Sequence, residues 1–196
     1  MSNTTSTKYY KVAVLVYDGA DILDFTGPIE VLSRALHHQN LDDINPIFEI
    51  QTIAQHNFIT TASLKIEADF LLADARETIT KYDMLLVPGA SQTTIKKLVD
   101  INTPELDLIR RYASGESKRP RIILSVCTGA SLLGAAGILS GITVTTHRRA
   151  LDLLRETCSQ TLNYEESNIL SRRFVDGGLL KGANVRVISS GGKWRL

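Results

Sequence analysis

The sequence predicts an α/β domain built on an open, mostly parallel sheet with helices on its faces. Strand-like and helix-like stretches alternate along the chain. Several of the strands are continuous apolar runs, the pattern of strands buried on both faces. The length of 196 residues fits one domain, since single domains commonly hold about 100–200 residues. A chain of this size buries roughly 70% of its unfolded surface and needs no metal or disulfide to fold.

Residues 1–7 are small and polar after the Met and read as a disordered lead-in, leaving 8–196 as the domain. Residues 9–17 (YYKVAVLVY) form the first buried strand, stopped by the turn pair Asp18-Gly19. Helical spacing follows over residues 26–38, with Pro28 suited to the first helical position and Glu30 to the first turn. Ile29, Leu32 and Leu36 share one helix face, with Arg34 and His38 elsewhere. Residues 46–54 are a second strand, and residues 58–69 alternate as a half-exposed hairpin does. Residues 82–87 (YDMLLV) are a buried strand closed by Pro88-Gly89. Thr103 caps a helix that has Pro104 at its first position and runs to about Gly115. Residues 121–126 (RIILSV) are a third apolar strand, and a helix rich in small residues starts at Thr128. A short strand at 144–146, a helix at 150–157 and strand pieces at 173–175 and 185–189 complete the pattern. No repeat, low-complexity block or linker divides the chain.

Composition removes several function classes. A net charge of +1 lacks the basic excess of a nucleic-acid binder. Cys127 and Cys158 are the only cysteines, too few for a disulfide scaffold or a zinc site. No run approaches the roughly 20 apolar residues of a membrane span. The polar start MSNTTSTK has no signal-peptide core, so a cytoplasmic protein is expected. The glycines 129 and 134 have phosphate-loop spacing, but Ala135-Ala136 stands where that loop needs Lys-Ser/Thr.

Chemistry concentrates at SVCTGA, residues 125–130. A buried strand ends, a nucleophilic side chain follows at once, and small residues open a helix, as in a nucleophile elbow. Cys127 is the reactive residue and Gly129 stands two places on, although Ser125 occupies the position of the motif's first glycine. Exposed amides and the positive end of the helix dipole there favour a thiolate and lower the thiol pKa. The same amides, that of Thr128 among them, suit an anion. DILDFTGP, residues 21–28, reads as the loop between the first strand and first helix, at the sheet edge where ligands bind. Asp24 there either shuttles a proton to Cys127 or caps the helix. His147 ends the VTT stretch and is either a base for Cys127 or a bystander. Cys158 lies near a helix end and has a structural or incidental role.

The segments VLVYDGADILDFTGPIEVL, the PG turn at 88–89 and SVCTGASLLGAAGILSGITVTTH together resemble the ThiJ/PfpI superfamily, within the class I glutamine amidotransferase-like proteins. The resemblance runs from about residue 9 to residue 192 and is nearest to the isonitrile hydratase-like branch and to amidase-like domains of transcription regulators. It implies a flavodoxin-like three-layer sandwich, an elbow cysteine and a homodimer, with no cofactor or metal. By that resemblance Cys127 is the nucleophile, Asp24 its acidic partner and Thr128 a residue that contacts the site. Gly89 supplies an amide to the anion pocket beside Ala90 and Gly129, and His147 matches a histidine whose role varies between branches.

The implied chemistry is a lyase reaction on a small-molecule substrate, hydration of an isocyanide to an N-substituted formamide. Two alternatives stand beside it: glyoxalase-like or amidase-like chemistry, in which His147 matters more, and a redox-sensing or ligand-binding domain without turnover. The chain departs from the family pattern at Ala90, where a second glycine is usual, and at Arg148, where an aromatic residue often follows the histidine. It also stops four residues after Gly192, so the family's closing C-terminal helix is expected to be missing.

Overall fold

The computed structural model describes residues 9–37, 45–100, 103–161 and 165–192. The lead-in at 1–7 and His38 lie outside these residues. In chain order the elements are β1 (Tyr10–Leu15), α1 (Ile22–Ser33), β2 (Phe48–Ala54), β3 (Phe58–Thr61), β4 (Leu64–Glu67), β5 (Phe70–Leu71) and α2 (Leu72–Ala75). After a 3₁₀ turn at Ile79–Lys81 come β6 (Met84–Val87), α3 (Gln92–Asp100), α4 (Pro104–Ser114), β7 (Arg121–Val126) and α5 (Gly129–Ala135). The remaining elements are β8 (Thr143–Thr145), α6 (Leu151–Ser159), β9 (Asn168–Leu170), β10 (Phe174–Leu179) and β11 (Val185–Ser190).

The apolar runs become the middle of a seven-stranded sheet ordered β10-β11-β7-β6-β1-β2-β5. Its pairings are parallel except β10 with β11. Val12 to Val16, Leu85 to Val87 and Ile123 are buried, as strands covered on both faces must be. The order places β2 on one side of β1 and β6 on the other. The loops leaving the carboxyl ends of β1 and β6 therefore diverge and open a crevice, the usual ligand position in such sheets. β7, which leads into Cys127, lies beside β6 in the same direction.

The first helix begins earlier than its sequence indicates. Its start at Ile22 puts Pro28 inside the helix instead of at the first position. The proline has no N–H for the carbonyl of Asp24 four residues back, a cost the helix tolerates. The start is set by the loop before it: the Asp21 N–H donates to the Gly89 carbonyl at 2.8 Å, and Ala20 bridges Ala90. Asp24 consequently sits in the first turn of α1 and is buried, not in a loop.

Three further differences have local causes. The Thr103 backbone caps α4 in an extended conformation, but its hydroxyl makes no cap hydrogen bond. The helix after Cys127 ends at Ala135, where Gly137 at φ 78° turns the chain out in the left-handed conformation that suits glycine. The hairpin forms as a separate two-stranded sheet of β3 and β4. Its Leu64 is 51% exposed. No described helix is long and apolar enough to cross a membrane.

Candidate active site

Cys127 follows β7 directly and has φ 57°, the left-handed region that L side chains enter at a cost. Both sides of the residue are clamped. Its N–H donates to the Ser190 carbonyl at 2.9 Å, and the Thr146 hydroxyl donates to its carbonyl at 2.8 Å. Glycines remove the obstacles to this turn. A Cβ on Gly129 would collide with the Val87 carbonyl, and one on Gly192 would lie 2.6 Å from Cys127 Cβ. The elbow therefore depends on β7, the segment after β8, and the segment after β11.

The loop Pro88-Gly89-Ala90 is tied to both sides of the crevice. The Gly89 N–H donates to Asp24 Oδ2 at 3.2 Å. The Ala90 N–H donates to Thr128 Oγ1 at 2.8 Å, and that hydroxyl donates back to the Ala90 carbonyl at 2.7 Å. A Cβ on Gly89 would come within 2.8 Å of Asp24 Oδ2 and 2.7 Å of the Thr128 nitrogen, so only glycine fits. The structure packs Gly89 against Thr128 and Asp24, Ala90 against Thr128, and Gly129 against the carbonyls of Val87 and Pro88. The Gly89 and Ala90 amides are engaged within the protein, which leaves the Thr128 amide as the donor directed at the sulfur.

The electrostatics reverse one expectation. The Cys127 thiol is pushed up to about 12, first by burial and then by the negative charge of Asp24. The Thr128 amide pulls the other way and loses, while Asp21 and the hydrogen bond to Asp24 push further up. Helix-end stabilisation of the kind read from the sequence is present but smaller than desolvation beside a carboxylate. Cys127 is thus a buried thiol hydrogen-bonded to the buried carboxyl of Asp24.

His147 lines the same cavity as Cys127 and Asp24. Among the described residues its side-chain hydrogen bond is to the Arg149 N–H, which Nδ1 accepts at 3.3 Å. Burial, Arg148 and Arg149 push its pKa down, opposed by Asp21. Near neutral pH the ring is therefore uncharged, with its proton on Nε2. The structure brings it to the site without joining it to the thiol.

The cavity has a volume of about 450 Å³, with Asp24 and Cys127 among its polar lining and Ile22, Leu23 and Ala62 among its apolar lining. Ala62 is the hairpin tip and has φ 39°. The hairpin is held over the crevice by the Thr60 N–H to Asp18 Oδ1 at 2.7 Å and the Gly19 N–H to the Thr60 carbonyl at 2.8 Å. A depression of about 530 Å³ lined by Arg76, Thr103 and Asp107 contains no nucleophile. Asp21, Asp24 and Cys127 bring one donor atom each within 4.8 Å of one another. Within this trio Asp24 already accepts from the Gly89 N–H and is hydrogen-bonded to Cys127.

Cys158 is buried in α6, with its sulfur against Gly134 of α5, a packing role as expected. Tyr17, Thr146 and the Ser190 carbonyl are the residues that sequence reasoning missed. Tyr17 donates to the Pro88 carbonyl at 2.6 Å. All three act on backbone groups, so no motif announces them.

The DJ-1/PfpI family profile matches residues 10–187. The chain is 31% identical over 149 residues to an uncharacterized protein in the cpoL 5'region of Streptomyces lividans, covering 76% of this chain and 95% of that one. It is also 31% identical over 144 residues to the isonitrile hydratase of Pseudomonas putida, covering 74% of this chain and 55% of the hydratase. Among solved structures, Drosophila melanogaster DJ-1beta is similar with a TM-score of 0.67 at 19% identity, over 94% of this chain and 82% of that one.

Proposed function

The chain belongs to the DJ-1/PfpI family, and on that premise we propose that it is a cysteine-dependent enzyme that hydrates a small isocyanide to an N-substituted formamide. The observation that carries this reading is the Cys127–Asp24 pair at the floor of a partly apolar cavity. The 31% identity to an isonitrile hydratase supports it.

The reaction follows from the site's protonation. A thiol held at about 12 is not a free thiolate near neutral pH, so attack must be coupled to proton transfer. Cys127 Sγ bonds to the terminal isocyanide carbon as the thiol proton passes to Asp24. Asp24 returns that proton to the same carbon, giving the thioimidate R–N=CH–S–Cys127. Water then adds to the carbon, its proton reaching nitrogen through Asp24. Collapse of the adduct forms the formamide R–NH–CHO and restores the thiol. No oxyanion arises in the first addition. Occupation of the Gly89 and Ala90 amides within the protein therefore costs this chemistry less than it would an acyl transfer. The Thr128 amide steadies the sulfur, and Ile22, Leu23 and Ala62 accommodate an uncharged substituent.

Incubation with cyclohexyl isocyanide should yield N-cyclohexylformamide. Replacing the nucleophile in Cys127→Ala should lower the rate by at least about a thousandfold. Absence of the formamide with the unaltered chain, or an undiminished rate in the variant, would refute the reading.

A further inference from the structure

The turn that follows β8 carries two charges that oppose local stability. The Ala150 N–H donates to the His147 carbonyl at 2.7 Å, which puts Arg148 and Arg149 at the two corner positions of a β-turn. Both side chains are exposed. Among the described residues neither guanidinium has an ion-pair partner. Ala150 is the N-cap of α6 and supplies no side-chain cap hydrogen bond. Two adjacent guanidinium groups therefore stand at the positive end of a helix, where the dipole and their mutual repulsion both oppose them. Charges kept against the local rules are expected where they serve function.

The same turn is fixed to the rim of the Cys127 cavity. The Arg149 N–H donates to His147 Nδ1 at 3.3 Å, and Gln92 Nε2 donates to the Arg149 carbonyl at 2.9 Å. His147 lines the cavity, and so does Ser91, the residue before Gln92. Both arginine charges act on the His147 ring. The acids of the cavity, Asp21 and Asp24, come from the start of α1, so the two signs of charge enter from different elements.

We propose that Arg148 and Arg149 bind a carboxylate at the far end of the molecule that Cys127 attacks. The substrate is then a small acid with its reacting group at the opposite end. This inference rests on the isonitrile hydratase reading only for the identity of that reacting group, which makes the substrate an isocyano carboxylate. Guanidinium donors lie in one plane and match the two oxygens of a carboxylate. A singly charged acid fits better than a dianionic phosphate ester, because Asp21 and Asp24 repel the second charge. Ile22, Leu23 and Ala62 enclose the uncharged stretch between the two ends. A positive rim also draws an anion into the cleft and speeds its capture.

The test compares the natural chain with the double variant Arg148→Gln/Arg149→Gln. Cys127 is alkylated with two acid–amide pairs of different reach, iodoacetate with iodoacetamide and iodoacetylglycine with its amide. Rates are followed on the Cys127 peptide by mass spectrometry. Each acid is read against its own amide, so any change in the ionisation of the thiol cancels from the ratio. In the double variant the acid-to-amide ratio should fall at least about fivefold for one pair or both. The natural ratio should drop toward the variant's at about 1 M salt. Lys118→Gln removes an exposed charge from the loop before β7, at the far end of that strand from Cys127, and should leave both ratios unchanged. Melting curves should show the double variant at least as stable as the natural chain. Unchanged ratios for both pairs, an equal fall in Lys118→Gln, or a clear loss of stability in the double variant would overturn the proposal. In turnover, isocyanoacetate should have a KM at least about fivefold below that of its methyl ester, an advantage that the double variant loses. Alkylation ratios as expected without turnover of either isocyanide would refute the hydratase reading alone. Turnover with unchanged ratios would refute the arginine site alone.

Discussion

β7 begins at a buried guanidinium and ends at a buried thiol, and the fold treats its two ends differently. At the start, Arg121 lies over the Tyr112 ring at 4.8 Å and donates from Nη2 to the Gly115 carbonyl. Among the described residues its Nε and Nη1 atoms have no hydrogen-bond partner. At the other end, both backbone groups of Cys127 are clamped and its thiol meets Asp24. Burial drives both side chains toward their neutral forms, pushing the thiol up and the guanidinium down. Only the Cys127 end has a partner able to take the proton. Desolvation becomes useful for chemistry where an exchange partner is built beside the desolvated group; without one it is only a cost.

The sharpest way to break this comparison is to remove the exchange partner. In Asp24→Asn, turnover of an isocyanide should fall by about 10²–10³-fold. Alkylation of Cys127 should move the other way. With the neighbouring negative charge gone the thiol must titrate below about 12, so at pH 9 more of it is thiolate and iodoacetamide reacts faster. Parallel loss of both rates would contradict the assigned role. A smaller effect tests the clamp. In Gly192→Ala the new methyl meets Cys127 Cβ at 2.6 Å and is placed on a backbone with φ 67°. The protein should lose about 1–3 kcal/mol of stability, read from urea unfolding, with turnover down about tenfold. Unchanged turnover would show that the elbow tolerates displacement. The smallest effect belongs to the other end. Arg121→Met removes two unpaired buried donors and keeps volume, so stability should stay within about 1 kcal/mol and turnover should be unchanged. A large loss would mean that the guanidinium is held by more than its ring and single carbonyl contacts.

Sequence reasoning succeeded where information is local or continuous. The runs at 12–17, 84–87 and 122–124 are apolar without interruption, and they lie in the central sheet. Cys127, Asp24 and Gly89 are legible because strand, turn and helix residues around them are adjacent in the chain. α3 was not foreseen. QTTIKKLVD is mostly polar, and its single fully buried residue is Ile95. The usable signal was Ser91, whose hydroxyl accepts from the Thr94 N–H at 3.1 Å and so caps that helix. β9 is three residues long and exists through parallel pairing with β8, a register that no local pattern encodes. The thiol's direction of shift was misread for a similar reason. Helix-end geometry is visible in sequence, but burial of a carboxylate beside the sulfur arises only when α1 and the elbow meet.

The double clamp on Cys127 also has a consequence in time. Thr146 and Ser190 both lie downstream of the thiol they restrain, and β11 must dock beside β7 before the second clamp exists. During synthesis the ribosome takes on the order of several seconds to pass from the cysteine to that strand. For that interval the sulfur belongs to an unfinished sheet. Both backbone restraints on the elbow come from residues made after it, so its geometry is fixed only once β11 is in place.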